Sequence, residues 1–183
     1  WTTKAELPTS IFPIPITGTS ACAVNRKIYV IGGGGTPQSQ NTSTMRAYDS
    51  VMDTWTLKTN MPTARSNTTA VVVDGKIFVI GGTPTSGHWS TPIWDQENVV
   101  EVYDPETDTW TKKTNMPTGR TLMASATANG KIYTIGGLQN GGVQKVVEVY
   151  DPETDTWTKK TDAPTSRWGA KAVEVEGKIY VIG

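Results

Sequence analysis

Three arginines recur at equivalent places in the sequence and are the residues best suited to bind a charged ligand. Arg65, Arg120 and Arg167 lie about one 50-residue repeat apart, each shortly after a Pro-Thr pair. A guanidinium group can hold a carboxylate by two parallel hydrogen bonds, so a ring of arginines would suit carboxylates or sialic-acid-like sugars. The alternative is structural, with each arginine pairing with a turn carboxylate or with backbone carbonyls of the adjacent unit. The first unit has no such arginine, so any ring is broken there.

A long polar connection, residues 81–98, carries the second candidate site. It contains two tryptophans, Trp89 and Trp94, and His88, which is the single histidine of the chain. Large aromatic side chains on loops tend to be contact residues. The alternative is that both tryptophans fold back onto the neighbouring unit. The predicted binding residues are His88, Trp89, Trp94, Arg65, Arg120 and Arg167.

Catalytic and metal chemistry find little support in the residue types. One histidine and one cysteine, Cys22, supply neither a His-rich metal site nor a Cys-His nucleophile, so we expect no catalytic residue, metal or cofactor. The formal net charge of zero argues against a nucleic-acid partner, which a basic patch would favour. No segment is apolar for long enough to span a membrane. The sequence leaves the cellular compartment open.

The candidate residues are set within a phrase that is repeated four times. Its copies lie at residues 27–32, 76–81, 131–136 and 178–183. A column of tryptophans accompanies them at Trp1, Trp55, Trp110 and Trp157. Repeats of this length are typical of solenoids, propellers and arrays. Residues 101–118 and 148–165 are nearly identical, which indicates duplication of a structural unit rather than selection for one active site.

The turn residues of each unit predict four antiparallel strands. Asp74-Gly75 lies between two apolar runs and supplies the positive φ angles of a two-residue hairpin. Asn25-Arg26 lacks the glycine, so the first hairpin is predicted to be strained or of another type. Residues 104–107 read Asp-Pro-Glu-Thr, which favours a type I turn between the third and fourth strands. Because the fourth strand carries lysines, we place it at the outer edge.

Together these motifs resemble the kelch repeat family. The residues that carry the resemblance are the double glycines, the Tyr-Asp pairs, the tryptophan after each pair and a Met-Pro-Thr-x-Arg element: Gly81-Gly82, Gly136-Gly137, Tyr48-Asp49, Tyr103-Asp104, Tyr150-Asp151, Arg65 and Arg120. The resemblance covers essentially the whole chain. It implies an all-β propeller of four-stranded antiparallel blades around a central channel, as part of a ring of six or seven blades.

The predicted organisation is a single propeller segment over residues 1–183, with blade boundaries near the four tryptophans and an incomplete last blade. Trp1 is expected on a fourth strand and Gly183 at the end of a second strand, as in a fragment or a processed chain. An open ring would leave apolar faces in water, at a cost on the order of 10 kcal/mol. We therefore expect the ring to be completed by further chain or by self-association.

The function implied by the resemblance is a non-catalytic module that recognises a protein or glycan through its inter-strand loops. Two alternatives stay open. The first is a carbohydrate-modifying enzyme of the sialic acid mutarotase-like kelch type. The second is a structural component of an extracellular assembly, which the duplicated units and two glycosylation sequons, at Asn41 and Asn67, would suit. The sequence does not identify the partner.

Overall fold

A computed structural model describes residues 1–7, 17–34, 41–84 and 97–183, and the regular elements in these ranges are β-strands. In chain order the strands are β1 (Ser20–Val24), β2 (Lys27–Ile31), β3 (Met45–Asp49), β4 (Thr54–Lys58), β5 (Arg65–Ser66), β6 (Thr69–Val73), β7 (Lys76–Ile80), β8 (Thr83–Pro84), β9 (Val100–Asp104), β10 (Thr109–Lys113), β11 (Ala124–Ala128), β12 (Lys131–Ile135), β13 (Leu138–Gln139), β14 (Gly142–Val143), β15 (Val147–Asp151), β16 (Thr156–Lys159), β17 (Lys171–Val175) and β18 (Lys178–Ile182).

Most of these strands form three antiparallel sheets of four strands each. The first sheet has the order β1-β2-β3-β4, the second β6-β7-β9-β10 and the third β11-β12-β15-β16. The strands β17 and β18 pair as a terminal hairpin. In every full sheet the lysine-bearing fourth strand lies at an edge, so the predicted strand order is confirmed. Two short pairs, β5 with β8 and β13 with β14, were not predicted from the sequence.

The hairpin turns adopt the left-handed backbone that their residue types favour. Asp74 and Gly75 have φ angles of 48° and 74°, which confirms the predicted turn. The first hairpin uses the same conformation without a glycine, with φ angles of 52° at Asn25 and 63° at Arg26. The left-handed backbone is sterically unfavourable for Arg26, which occupies the turn position that Gly75 fills in the second hairpin. The strain predicted for this turn is therefore present.

The sheets pack face to face, so that each interior sheet is covered on both sides. Between the second and third sheets, Phe78 and Ile80 pack against Ile132 and Tyr150, and all four are buried. Their β-branched and aromatic side chains suit strands with two buried faces. The outer face of the terminal hairpin is different, because its equivalent residues are about half exposed or more: Val173, Val175, Tyr180 and Ile182.

The tryptophan and tyrosine columns join the outer strands of adjacent sheets. Trp110 donates its indole N–H to the carbonyl of Thr59 in the preceding sheet, at 2.9 Å. Asp108 accepts the hydroxyl of Tyr103 at 2.6 Å and the backbone N–H of Thr59 at 3.0 Å. The same three bonds recur one repeat later. Packing and hydrogen bonding therefore account for these repeated residues.

The first seven residues differ from the sequence-based expectation. Trp1 was expected on a fourth strand, but residues 1–7 form no strand and Trp1 is fully exposed. Ala5 nevertheless makes the same two hydrogen bonds that Thr59 makes one repeat later. Its carbonyl accepts the Trp55 indole N–H at 3.0 Å, and its N–H donates to Asp53 at 2.9 Å. Within the described residues no strand lies beside this segment to pair with it.

Candidate functional site

One end of every sheet carries the connections that differ most between repeats. Because neighbouring strands are antiparallel, the start of the first strand, the end of the second strand and the start of the third strand lie at the same end of each sheet. We call this end of the sheets the connection face. Its described residues are 17–19, 32–34, 41–44, 59–68, 81–84, 97–99, 114–123, 136–146 and 160–170.

Arg65 lies at the connection face, and its side chain is fully buried. Its Nη1 donates to the carbonyls of Gly81 and Val99, at 2.8 and 3.0 Å. Its Nη2 donates to Oε2 of Glu101 at 2.7 Å, which makes a buried ion pair. The backbone carbonyl of Arg65 accepts the N–H of Gly33 at 3.0 Å. The residue thus joins the first sheet through its backbone to the second sheet through its side chain.

Arg120 repeats this geometry between the second and third sheets. Its Nη1 donates to the carbonyls of Gly136 and Val146, at 2.6 and 3.2 Å, and its Nη2 donates to Glu148 at 2.6 Å. Its own carbonyl accepts the N–H of Gly82 at 3.0 Å. Burial lowers the pKa of both guanidinium groups, and the paired glutamates oppose that change.

The second oxygen of each glutamate is also occupied. Thr63 donates to Oε1 of Glu101 at 2.7 Å, and Thr118 donates to Oε1 of Glu148 at 2.6 Å. Both ion pairs are therefore enclosed and hydrogen bonded, as buried charges require. This is the structural alternative that the sequence left open for the arginines. Ligand binding by them stays a prediction.

Arg167 occupies the third place of the series but has fewer contacts. Its carbonyl accepts the N–H of Gly137 at 2.7 Å, as in the other two sites. Its Nη1 donates to the carbonyl of Gly183 at 2.5 Å, and the side chain is partly exposed. No described carboxylate forms an ion pair with it. Among the described residues, Arg167 is thus the partly exposed member of the series.

The first sheet also departs from the pattern, in a way that sequence reasoning missed. Arg46 on β3 stands at the position that Glu101 and Glu148 occupy on β9 and β15. Its side chain is buried, and burial lowers its pKa. The signal was available in the sequence, because the aligned units read Met-Arg-Ala-Tyr-Asp once and Val-Glu-Val-Tyr-Asp twice.

The predicted contact residues His88, Trp89 and Trp94 lie outside the described residues. The chain on both sides of them is firmly held at the connection face. Asn41 donates its side-chain amide to the carbonyls of Thr83 and Pro84, both at 2.9 Å. On the other side, the N–H of Glu97 reaches the carbonyl of Gly82 at 2.9 Å. The described residues that flank this connection, Pro84 and Glu97, therefore lie at the connection face.

A small cavity at the start of the innermost strands was not predicted. Four residues with left-handed backbones are joined in series by backbone hydrogen bonds: Gly18, Asn67, Leu122 and Gly169. The N–H of each donates to the carbonyl of the previous member of this series, at 2.7, 3.2 and 2.9 Å. With Lys171 they line a cavity of about 150 Å³. Asparagine and glycine favour this conformation but leucine does not, so the pattern could not be read from the sequence.

The described residues add no other recognisable chemistry. They contain no group of three or more His, Cys, Asp or Glu side chains that could hold a metal ion. In the same ranges there is no helix with the length and hydropathy to cross a membrane. Cys22 lies on the inner strand β1, and burial raises the pKa of its thiol to about 12.

The stacked four-stranded sheets and their repeated joints define a β-propeller repeat protein. A sequence model described as the KLHDC2/KLHL20/DRC7 Kelch-repeats domain matches residues 1–183. The chain belongs to the kelch repeat family, as its motifs indicated.

Individual relatives agree with this assignment. Kelch-like protein 25 from Xenopus tropicalis and from Xenopus laevis are each 29% identical over 135 residues, which is 73% of this chain and 23% of the relative. The chain thus spans less than a quarter of the length of these curated relatives. A solved structure of YjhT superposes with a TM-score of 0.81 at 20% identity, covering 98% of this chain and 61% of that one. This likeness supports the fold alone.

Proposed function

We propose that the chain is a protein-binding module whose partner contacts the connection face. Kelch repeat domains are generally protein-interaction modules, and this chain belongs to that family. The observation that supports the choice of face is the anchoring of the residues that flank the 85–96 connection: Asn41 binds Thr83 and Pro84, and Glu97 binds Gly82. Loops held on a rigid scaffold are common binding sites, because the scaffold limits the entropy lost on association.

Within this face we propose that His88, Trp89 and Trp94 make the principal contacts. Two tryptophans in one connection would provide large contact areas of the kind that dominate binding energy. Arg167, the third predicted arginine, would add a positive charge. Arg65 and Arg120 would support binding indirectly, by fixing the ends of the connections that precede β9 and β15.

The test compares two pairs of substitutions on opposite faces. Trp89→Ala with Trp94→Ala alters the proposed contacts, whereas Val51→Ala with Met52→Ala alters two exposed apolar residues in the β3–β4 turn at the other end of the sheet. Wild-type and variant chains are immobilised, and proteins retained from an extract of the source organism are quantified by mass spectrometry. We expect a retained protein that is lost with the tryptophan variant and kept with the turn variant.

The opposite pattern, or no protein retained above background, would reject the proposal. Equal unfolding midpoints of the two variants show that loss of binding is not loss of folding. The enzymatic alternative has its own readout, since a mutarotase would accelerate exchange between the anomers of free N-acetylneuraminic acid, measured by NMR. Such acceleration, lost on Arg167→Ala, would replace binding as the function.

A further inference from the structure

The sequence contains two Asn-Gly pairs, Asn129-Gly130 and Asn140-Gly141. Both pairs form exposed two-residue hairpin turns, the first between β11 and β12 and the second between β13 and β14. The φ angles are 50° and 71° in the first turn and 47° and 73° in the second. The chain therefore holds the same dipeptide twice, in the same left-handed conformation.

An asparagine that precedes glycine can lose its side-chain amide without an enzyme. Hydroxide removes the glycine N–H proton, and the backbone nitrogen attacks Cγ of the asparagine, because glycine has no side chain to obstruct the approach. A C–N bond forms, and the side-chain nitrogen takes a proton from water and leaves as ammonia. Water then opens the cyclic imide at either carbonyl carbon and gives aspartate or isoaspartate.

Ring closure requires the turn to open first. In the left-handed conformation the bond from the asparagine carbonyl carbon to the glycine nitrogen points away from Cβ, so the glycine nitrogen lies far from Cγ. The backbone must rotate out of the turn before these two atoms can meet. The rate in the folded chain therefore depends on how often each hairpin opens, which is a property of its local stability.

The turn at Asn129 is held by a long hairpin. The strands β11 and β12 pair at five positions, and β12 pairs with β15 on its other side. Ala126, Ala128 and Ile132 lie close to the turn in the sequence and are buried. Opening this turn would pull paired strands out of a four-stranded sheet, so we expect it to open rarely.

The turn at Asn140 is held by a much shorter hairpin. The strands β13 and β14 pair at two positions, Leu138 with Val143 and Gln139 with Gly142. Both residues of β14 are exposed, and no third described strand pairs with this hairpin. The hairpin can therefore open at a lower cost than the β11–β12 hairpin.

The base of the β13–β14 hairpin is anchored independently of its tip. Leu138 exchanges two backbone hydrogen bonds with Thr121, at 2.8 and 3.1 Å. The N–H of Gln144 donates to the carbonyl of Gly137 at 2.9 Å. Because these bonds lie outside residues 139–142, the tip can open without unfolding of the third sheet.

We propose that Asn140 is a self-modification site, at which the chain converts to aspartate and isoaspartate forms while Asn129 reacts far more slowly. The conversion replaces a neutral amide of the connection face by a carboxylate. The isoaspartate form also adds a methylene group to the backbone of a two-residue turn, which breaks the register of β13 with β14. Ageing of the chain thus changes one hairpin of the connection face. The site is separate from residues 85–96 and does not depend on the function proposed above.

Both asparagines can be followed in one sample. The full 183-residue chain is incubated near neutral pH and then digested with pepsin at acidic pH, where ring closure is slow. Mass spectrometry measures the exchange of –NH2 for –OH at each asparagine, and chromatography separates the aspartate peptides from the isoaspartate peptides. We expect Asn140 to convert at least about tenfold faster than Asn129, and both rates to rise with pH because hydroxide generates the attacking nitrogen.

Peptides of residues 125–133 and 136–144 are the matched controls, because they carry the two dipeptides without a stable hairpin. Their rates should agree within about threefold, so that a larger difference in the chain reports the fold. Asn140→Gln should abolish conversion at this position, because glutamine would have to close a six-membered ring, and should leave the rate at Asn129 unchanged. Hydrogen exchange should be faster for the amides of residues 139–142 than for those of residues 128–131.

Three results would overturn the proposal. One is a rate at Asn140 in the folded chain that is less than about tenfold the rate at Asn129. Another is an intact Asn140 in the chain after the peptide of residues 136–144 has been converted. The third is hydrogen exchange that is no faster at residues 139–142 than at residues 128–131, which would show that hairpin opening does not set the rate.

Discussion

Removing the Arg120 side chain is expected to destabilise the protein strongly, because it leaves Glu148 buried without its counter-ion. The arginine is fully buried, and the glutamate side chain is 3% exposed. Deleting one member of a buried ion pair costs about 3–5 kcal/mol. For a chain of this length each 1 kcal/mol corresponds to about 2–4 °C, so Arg120→Ala should lower the melting temperature by roughly 6–20 °C.

The pair, rather than the arginine alone, should carry this cost. We expect Glu148→Gln to destabilise as well, and the double variant Arg120→Met with Glu148→Leu to cost less than the sum of the single changes, because no charge is left buried. Urea unfolding followed by tryptophan fluorescence gives the free energies for this cycle. Arg167→Ala is the matched control, and it should cost less than about 1 kcal/mol because the side chain is partly exposed.

A stability of Arg120→Ala within about 1 kcal/mol of wild type, or simply additive costs of the changes at Arg120 and Glu148, would contradict this prediction. Either result would mean that the ion pair is solvated in solution. The guanidinium would then be accessible, and a ligand-binding role for Arg120 would become the better interpretation.

Three further changes test the joints between sheets. Gly82→Ala should cost about 2–4 kcal/mol of unfolding free energy, because the φ of Gly82 is +106° and a Cβ there would lie 2.7 Å from the Ser66 carbonyl oxygen. Gly75→Ala is the control and should cost about 1 kcal/mol, because a Cβ at Gly75 would meet open space. Urea unfolding measures both values. Tyr103→Phe should cost about 1 kcal/mol by the same assay, since it removes the hydroxyl bond to Asp108. Stability should also decrease as the pH is lowered. Burial by itself would raise the pKa of Asp108, but the hydrogen bonds from the Tyr103 hydroxyl and the Thr59 amide outweigh burial and lower this pKa. A carboxyl group whose pKa is lower in the folded state stabilises the protein at pH values above its unfolded-state pKa of about 4. This contribution is lost as the pH falls through the folded-state pKa. Melting temperatures should therefore drop below about pH 4, and they should drop less steeply in Tyr103→Phe.

The strands and turns were predictable because their signals are local. Asp74-Gly75 specifies its hairpin through backbone preferences alone, and the lysines on β10 identify an edge strand. The conformation of Asn25-Arg26 was also anticipated as strained, since the missing glycine is visible in the sequence. The strand expected at Trp1 was wrong, because a strand needs a neighbour, and pairing is a property of the whole fold.

The role of the repeated arginines could not be fixed from the sequence, because it depends on partners distant in the chain. Arg65 meets Glu101 across 36 positions, and no local pattern distinguishes that pairing from an open ring of charges. The left-handed backbone at Leu122 was equally hidden, since leucine disfavours it.

The repeated residues build the scaffold, and we propose that the connection at residues 83–98 binds the partner. The most direct test replaces residues 83–98 with the shorter connection 138–145 from the next repeat, which joins the same two strand positions between Gly82 and Val99. We expect the chimera to unfold within about 1 kcal/mol of wild type and to lose the protein that the wild-type chain retains. Retention of that protein by a folded chimera would contradict the account.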